Sequence, residues 1–100
     1  MASDNARSSS LPVRWMPSAA HAYSESLDYI AAQDAHAAAR IIERVKAALA
    51  VIAAQPAIGT SLGAHGRRRF AIPRTGHLIE YRVMHHEIKI IRWARQRRRS

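Results

Sequence analysis

The chain has 100 residues, no cysteine and a formal net charge of +9, which describes one domain with room for a single modest core. Without thiols it forms no disulfide, thiolate nucleophile or cysteine-based zinc site, a composition that suits the reducing cytoplasm in which we expect it. The charge is uneven: residues 1–66 balance five basic side chains against five acidic ones, whereas residues 67–100 carry eleven Lys or Arg against Glu80 and Glu87. A surface of one sign attracts a polyanion or an acidic partner at range.

Residues 1–11 contain no apolar run and read as a disordered lead-in, neither a secretory signal nor an anchor, so the expected domain spans 12–100. No stretch approaches the roughly 20 apolar residues of a membrane span. Val13, Arg14 and Trp15 form a short β-type segment, stopped by Pro17, which suits a first helical turn. A helix is expected over 18–32, where Ala19, Tyr23, Leu27 and Ile30 fall on one stripe. Asp34 is placed as the N-cap of a second helix, Ala35–Ala54, with Ala38, Ile41, Ile42, Val45, Ala48, Leu49 and Ile52 as its apolar side. This stripe predicts Ile42 and Leu49 buried against a sheet and Glu43 exposed. The short link makes the two helices an antiparallel hairpin.

Gln55 and Pro56 end the second helix, and residues 57–66, with three glycines, read as a loop. Three strands follow, at Arg67–Ile72, 77–84 and 88–94, separated by turn residues Arg74, Thr75 and Gly76 and by a tight connection at His85, His86 and Glu87. Alternation puts His77, Ile79, Tyr81 and Val83 toward the core and Leu78, Glu80 and Arg82 outward, with Glu80 and Arg82 as a surface pair. The fold class is α+β in the order β-α-α-β-β-β: a helical hairpin packed on a small, mainly antiparallel sheet.

Trp15-Met16-Pro17, Leu27 to Ala31 and Gln55 to Gly59, followed by Arg69 to Pro73, Gly76 to Val83 and Ile90 to Arg98, together resemble the RelE/ParE superfamily of bacterial type II toxins over nearly the whole domain. The resemblance implies a toxin neutralised by a cognate antitoxin, ParD-like or of another family. One branch cuts messenger RNA on the ribosome, which requires groups that activate the 2'-hydroxyl, stabilise phosphorane charge and protonate the leaving oxygen. Its cationic positions correspond to Ala71 and Leu78 here, and no tyrosine follows Tyr81. That departure resembles the ParE branch, which poisons DNA gyrase, and it favours binding over catalysis.

On this reading no catalytic residue, metal or cofactor is assigned. Arg92, Trp93, Arg95, Arg97 and Arg98 are the expected gyrase-binding residues, and Tyr23, Leu27, Arg67, Arg69 and Arg82 the expected antitoxin-binding ones. The alternative is a RelE-like endoribonuclease acting on ribosome-bound mRNA, whose candidate catalytic groups are Arg69, Glu80, Arg82 and His77. A third reading is a nucleic-acid-binding module, from basic charge beside Trp93 and Tyr81. Trp93 also has an ordinary role as a packing residue. His85 and His86 lack the converging carboxylates or thiolates of a metal site, and His21, His36 and His65 are expected on the surface or in loops.

Overall fold

Asp34 closes one helix and opens the next. In the computed structural model, which describes residues 10–97, its backbone N–H donates to the Ile30 carbonyl at 2.8 Å at the end of α1 (Pro17–Gln33). Its side chain accepts the Ala37 N–H at 3.1 Å at the start of α2 (Ala35–Ala54). One residue thereby satisfies backbone groups that two helix ends would otherwise leave orphaned.

The remaining elements are β1 (Val13–Trp15), β2 (Thr60–Ser61), β3 (Arg67–Ile72), β4 (His77–Val83) and β5 (Ile88–Arg95), with a 3₁₀ turn at Pro56–Ile58. They form one five-stranded sheet in the order β1-β5-β4-β3-β2, with β1 parallel to β5 and every other pairing antiparallel. The α+β order read from the sequence is the order observed. It gains one strand: residues 60–61, expected within a loop, pair with Arg68 and Arg69.

Both helices share a core with one face of the sheet. Ala38, Ile41, Val45, Ala48 and Ile52 form the buried stripe of α2, facing Ile72, Ile79, Tyr81, Ile88, Ile90 and Trp93. Ala19 of α1 is buried with them, and Tyr23, Leu27 and Ile30 are half-buried against the same cluster. Ile42, expected in this core, is 38% exposed, and Leu49 is only half-buried. The buried line advances by three and four residues from Ala38 to Ile52, so Ile42, one residue round from Ile41, falls on its flank. Glu43 is exposed as expected.

Tyr81, fully buried at the centre of β4, pins the end of α2 to the sheet. Its hydroxyl donates to the Pro56 carbonyl at 2.7 Å and accepts the Gly59 N–H at 2.9 Å. A Cβ at Gly59 would lie 2.7 Å from that hydroxyl and 2.8 Å from the Arg69 carbonyl, so the approach requires glycine. Arg68 adds a second tie, donating to the Ala57 and Gly59 carbonyls at 3.2 and 2.7 Å.

Residues 1–9 of the expected lead-in lie outside the described residues. Leu11, at the end of that stretch, belongs to the packed domain: its N–H donates to the Ala53 carbonyl at 3.1 Å and its side chain packs on the core. Among the described residues no helix is long and apolar enough to cross a membrane.

The α2 geometry predicts that Ile52→Ala lowers stability by roughly 2 to 5 kcal/mol, as for other fully buried truncations. Ile42→Ala stays within about 0.5 kcal/mol, as for a surface substitution. Urea denaturation of the two variants checks the contrast, and equal losses would contradict the placement of the stripe.

Candidate functional site

The outer face of the sheet, turned away from the helices, collects the cations of the last third of the chain. Its composition follows from strand alternation with one irregularity. On β5, Ile88 and Ile90 point to the core, and strict alternation would send Arg92 after them and Trp93 outward. The pairing instead runs from Tyr81 opposite Ile90 to Glu80 opposite Arg92, which leaves Ile91 as an extra, bulged residue. The bulge resets the parity: Trp93 returns to the core at 6% exposure, and Arg92 stands outward.

Cross-strand register then arranges the outward residues in rows. One row runs Arg14, Lys89, Arg82 and Arg67 across four adjacent strands. The next runs Arg92, Glu80, Arg69 and Thr60. Beyond it lie Ala94, Leu78 and Ala71. Like charges directly opposite one another destabilise a sheet, and two carboxylates offset this one. Glu80, its side chain 8% exposed, binds Arg67 and Arg92 at 2.9 Å each. Glu87 takes Arg14 through two contacts of 3.0 and 3.1 Å, and this paired guanidinium holds its carboxyl below the usual range. The expected surface pair of Glu80 with Arg82 is not formed. Glu80 is buried and reaches directly across to Arg92 on β5 and diagonally to Arg67 on β3, both within range of a long guanidinium side chain.

Beside Glu80 the face dips into a basic cavity of about 490 Å³, lined by Arg69, Leu78, Glu80, Arg92, Ala94, Arg95, Gln96 and Arg97. Gln96 is held at its rim by an N–H bond to the Gly76 carbonyl at 2.7 Å. On the other side of the molecule an apolar cavity of about 360 Å³ opens between α2 and β3, lined by Ala47, Ala48, Val51, Phe70 and Pro73 and flanked by Arg44 and Arg74.

The sequence-predicted residues fall on both sides of the sheet. Arg67, Arg69, Arg82, Arg92 and Glu80 are together on the outer face, with Arg95 and Arg97 exposed beside them. Tyr23 and Leu27 are on the helix side, with Tyr23 stacked on Trp15 at 4.9 Å and against Trp93 at 4.7 Å. Burial raises the Tyr23 hydroxyl above its ordinary pKa. Trp93 donates its indole N–H to Ser26 at 3.0 Å and is buried, so its ring packs in the core. His77 stacks on Trp93 at 4.7 Å, 6% exposed and on the core side. It is therefore separated by the sheet from Glu80, and the two do not form one acid/base site. Arg98 lies outside the described residues. His85 and His86 sit exposed in the β4–β5 turn, their rings 4.3 Å apart, and among the described residues no three His, Asp or Glu converge as metal ligands.

The family of ParE toxins of type II toxin-antitoxin systems, parDE, matches residues 13–99. The chain belongs to this family. Among solved structures, it is similar in fold to a chain described as the chromosomal ParDE toxin-antitoxin system from P. aeruginosa, with a TM-score of 0.73 and 18% identity, covering 89% of this chain and 99% of that one. No curated protein sequence matches it. As a ParE-family toxin the chain is built on the hairpin-on-sheet fold expected of the RelE/ParE superfamily.

Two outcomes follow from the site geometry. Glu80→Ala leaves Arg67 and Arg92 without their shared carboxylate and lowers stability on the order of 1 to 3 kcal/mol. Urea melts in rising salt check this, because screening the bare cations narrows the loss. His77 is held below the ordinary 6.5, first by burial and also by the nearby Arg95 charge, although its bond to the Thr75 carbonyl opposes the shift. Below about 6.5 the unfolded chain therefore takes up a proton that the folded chain resists. The melting temperature should fall from pH 7.5 to pH 5.5, and His77→Gln should flatten that slope.

Proposed function

We propose that the chain is the toxin partner of a cognate antitoxin in the cytoplasm, and that it acts by binding DNA gyrase rather than by cutting RNA. The observation that carries the reading is the separation of the titratable groups. Glu80 is committed to Arg67 and Arg92, His77 is buried on the opposite face, and Ala71 and Leu78 occupy the outer-face positions where the superfamily's nucleases place cations. A face of cations with no available proton-transfer partner binds an anionic or polar surface better than it performs acid/base chemistry. The exposed rim of Arg92, Arg95 and Arg97, together with Arg98, is the proposed gyrase contact, with Trp93 orienting it from beneath.

The antitoxin is assigned to the helix side and the edge of the sheet. The apolar cavity at Ala47, Val51, Phe70 and Pro73, with Ile42 and Val51 exposed nearby and Arg44 and Arg74 at its margin, suits an acidic, amphipathic segment that orders as it binds. Tyr23 and Leu27 support this side of the molecule from within. Arg67, Arg69 and Arg82 are reached only if the segment continues round to the outer face.

Purified protein should inhibit gyrase supercoiling or trap its cleavage complex while leaving mRNA on translating ribosomes intact. Removing residues 97–100, beyond the Gln96 bond to Gly76, should abolish toxicity and preserve antitoxin binding. Codon-positioned mRNA cleavage by the native chain, lost in Glu80→Gln, would overturn the gyrase reading in favour of the endoribonuclease.

A further inference from the structure

We propose that the outer face of the sheet is itself a docking site for double-stranded DNA, gripping the phosphate backbone without reading base sequence. The proposal goes beyond gyrase recognition and stands whether or not gyrase is the target. It rests on the row of Arg14, Lys89, Arg82 and Arg67, which places three like-charged juxtapositions in succession on four neighbouring strands. At a strand spacing of about 4.8 Å the row is about 14 Å long.

Carboxylates reach only its ends, Glu87 on Arg14 and Glu80 on Arg67. Lys89 and Arg82, in the middle, form no ion pair among the described residues, although the Lys89 charge helps to depress Glu87. Arg69, in the adjoining row, likewise has no ion-pair partner there and opens onto the basic cavity. The Nε atoms of Arg67 and Arg82 are buried without hydrogen-bond partners. Like charges thus stand opposite one another across four strands, a repulsion that a bound polyanion would relieve.

The face also discriminates among anions. A disordered acidic segment offsets its loss of entropy by burying apolar groups, and the apolar side chains outside the sheet lie chiefly at the far end, with Leu78, Ala71 and Ala94. A duplex arrives already ordered and gains by releasing counterions to each cation. Single strands are held largely by aromatic stacking, but Trp15, Tyr23, Tyr81 and Trp93 all pack on the helix side. The geometry therefore favours the duplex backbone.

Fluorescence anisotropy of a labelled 20-base-pair duplex, read between 50 and 200 mM KCl, tests the proposal. Three phosphates neutralised by Lys89, Arg82 and Arg69 give a log–log salt slope of about −2.7, or binding about 40-fold weaker across that range. Any contribution from the tail adds to that slope. Arg82→Gln/Lys89→Gln should reduce its magnitude by about 1.8, since two phosphates lose their partners. The charge-keeping pair Arg82→Lys/Lys89→Arg should restore it, and Arg40→Gln/Lys46→Gln on α2 should leave it unchanged. The glutamine pair should melt no lower than the native chain, because repulsion is removed. Equal losses in the row and in the α2 control, or no recovery in the charge-keeping pair, would overturn the proposal. So would tighter binding of a single strand of equal length, or displacement of the duplex by a glutamate-rich peptide at lower concentration than by unlabelled duplex.

Discussion

Glu80 is the carboxylate that allows a sheet face made of arginines to fold. Its two oxygens are divided between Arg67 on β3 and Arg92 on β5, so it links the three longest strands by charge as well as by the backbone ladder. Because it is almost wholly buried while Arg67 and Arg92 remain partly solvated, the site combines a desolvated anion with cations that still face water. That asymmetry leaves the outer surface strongly positive even though its centre is neutralised. The proposed binding role of the face rests on this residual charge, and its stability on the carboxylate beneath it.

The neighbour of Glu80, Tyr81, performs the corresponding task on the other side. Successive residues of a strand point to opposite faces, so the same two positions on β4 fix the charged surface and the helical hairpin. Tyr81 fastens the chain leaving α2 through Pro56 and Gly59, and Arg68 anchors the same segment from β3. Trp15, Tyr23, Trp93 and His77 then stack in a continuous aromatic cluster joining β1, α1, β5 and β4. Trp93 and Arg92, successive residues of β5, face opposite sides of the sheet, so the ring cluster and the basic face meet at one point of the strand.

Local chemistry made much of the fold legible. The Asp34 cap and the apolar stripe defined α2 to its observed ends, because capping and helical periodicity are both encoded within a few residues. The turns at Arg74 to Gly76 and at His85 to Glu87 placed the meander strands within one residue of their limits. Features set by distant partners were harder to read. Ile42 has the hydrophobicity of a core residue, and only the azimuth at which α2 meets the sheet leaves it on the flank. Glu80 looked like a partner of Arg82 because the register that brings Arg67 and Arg92 to it is not a local property. The rows of cations are likewise a product of register. The candidate site was visible as a charge imbalance in the sequence but not as a surface. A local signal for the bulge was available: apolar residues at 88, 90, 91 and 93 break strict alternation at one position.

That irregularity gives β5 an unusual tolerance profile. Ile91 is the residue that the ladder skips: its side chain is half-buried, and Arg92 faces outward and Trp93 inward because Ile91 bulges instead of taking a paired position. Substitutions at this position leave the reading frame of the strand intact. Loss of the residue would leave Arg92 directly after Ile90 in strict alternation, so the guanidinium would still face outward and the indole inward, whereas drawing Ile91 into the ladder would exchange the two. The division of the last strand between core and charged face is therefore set by which residue the ladder skips rather than by how many residues the strand contains.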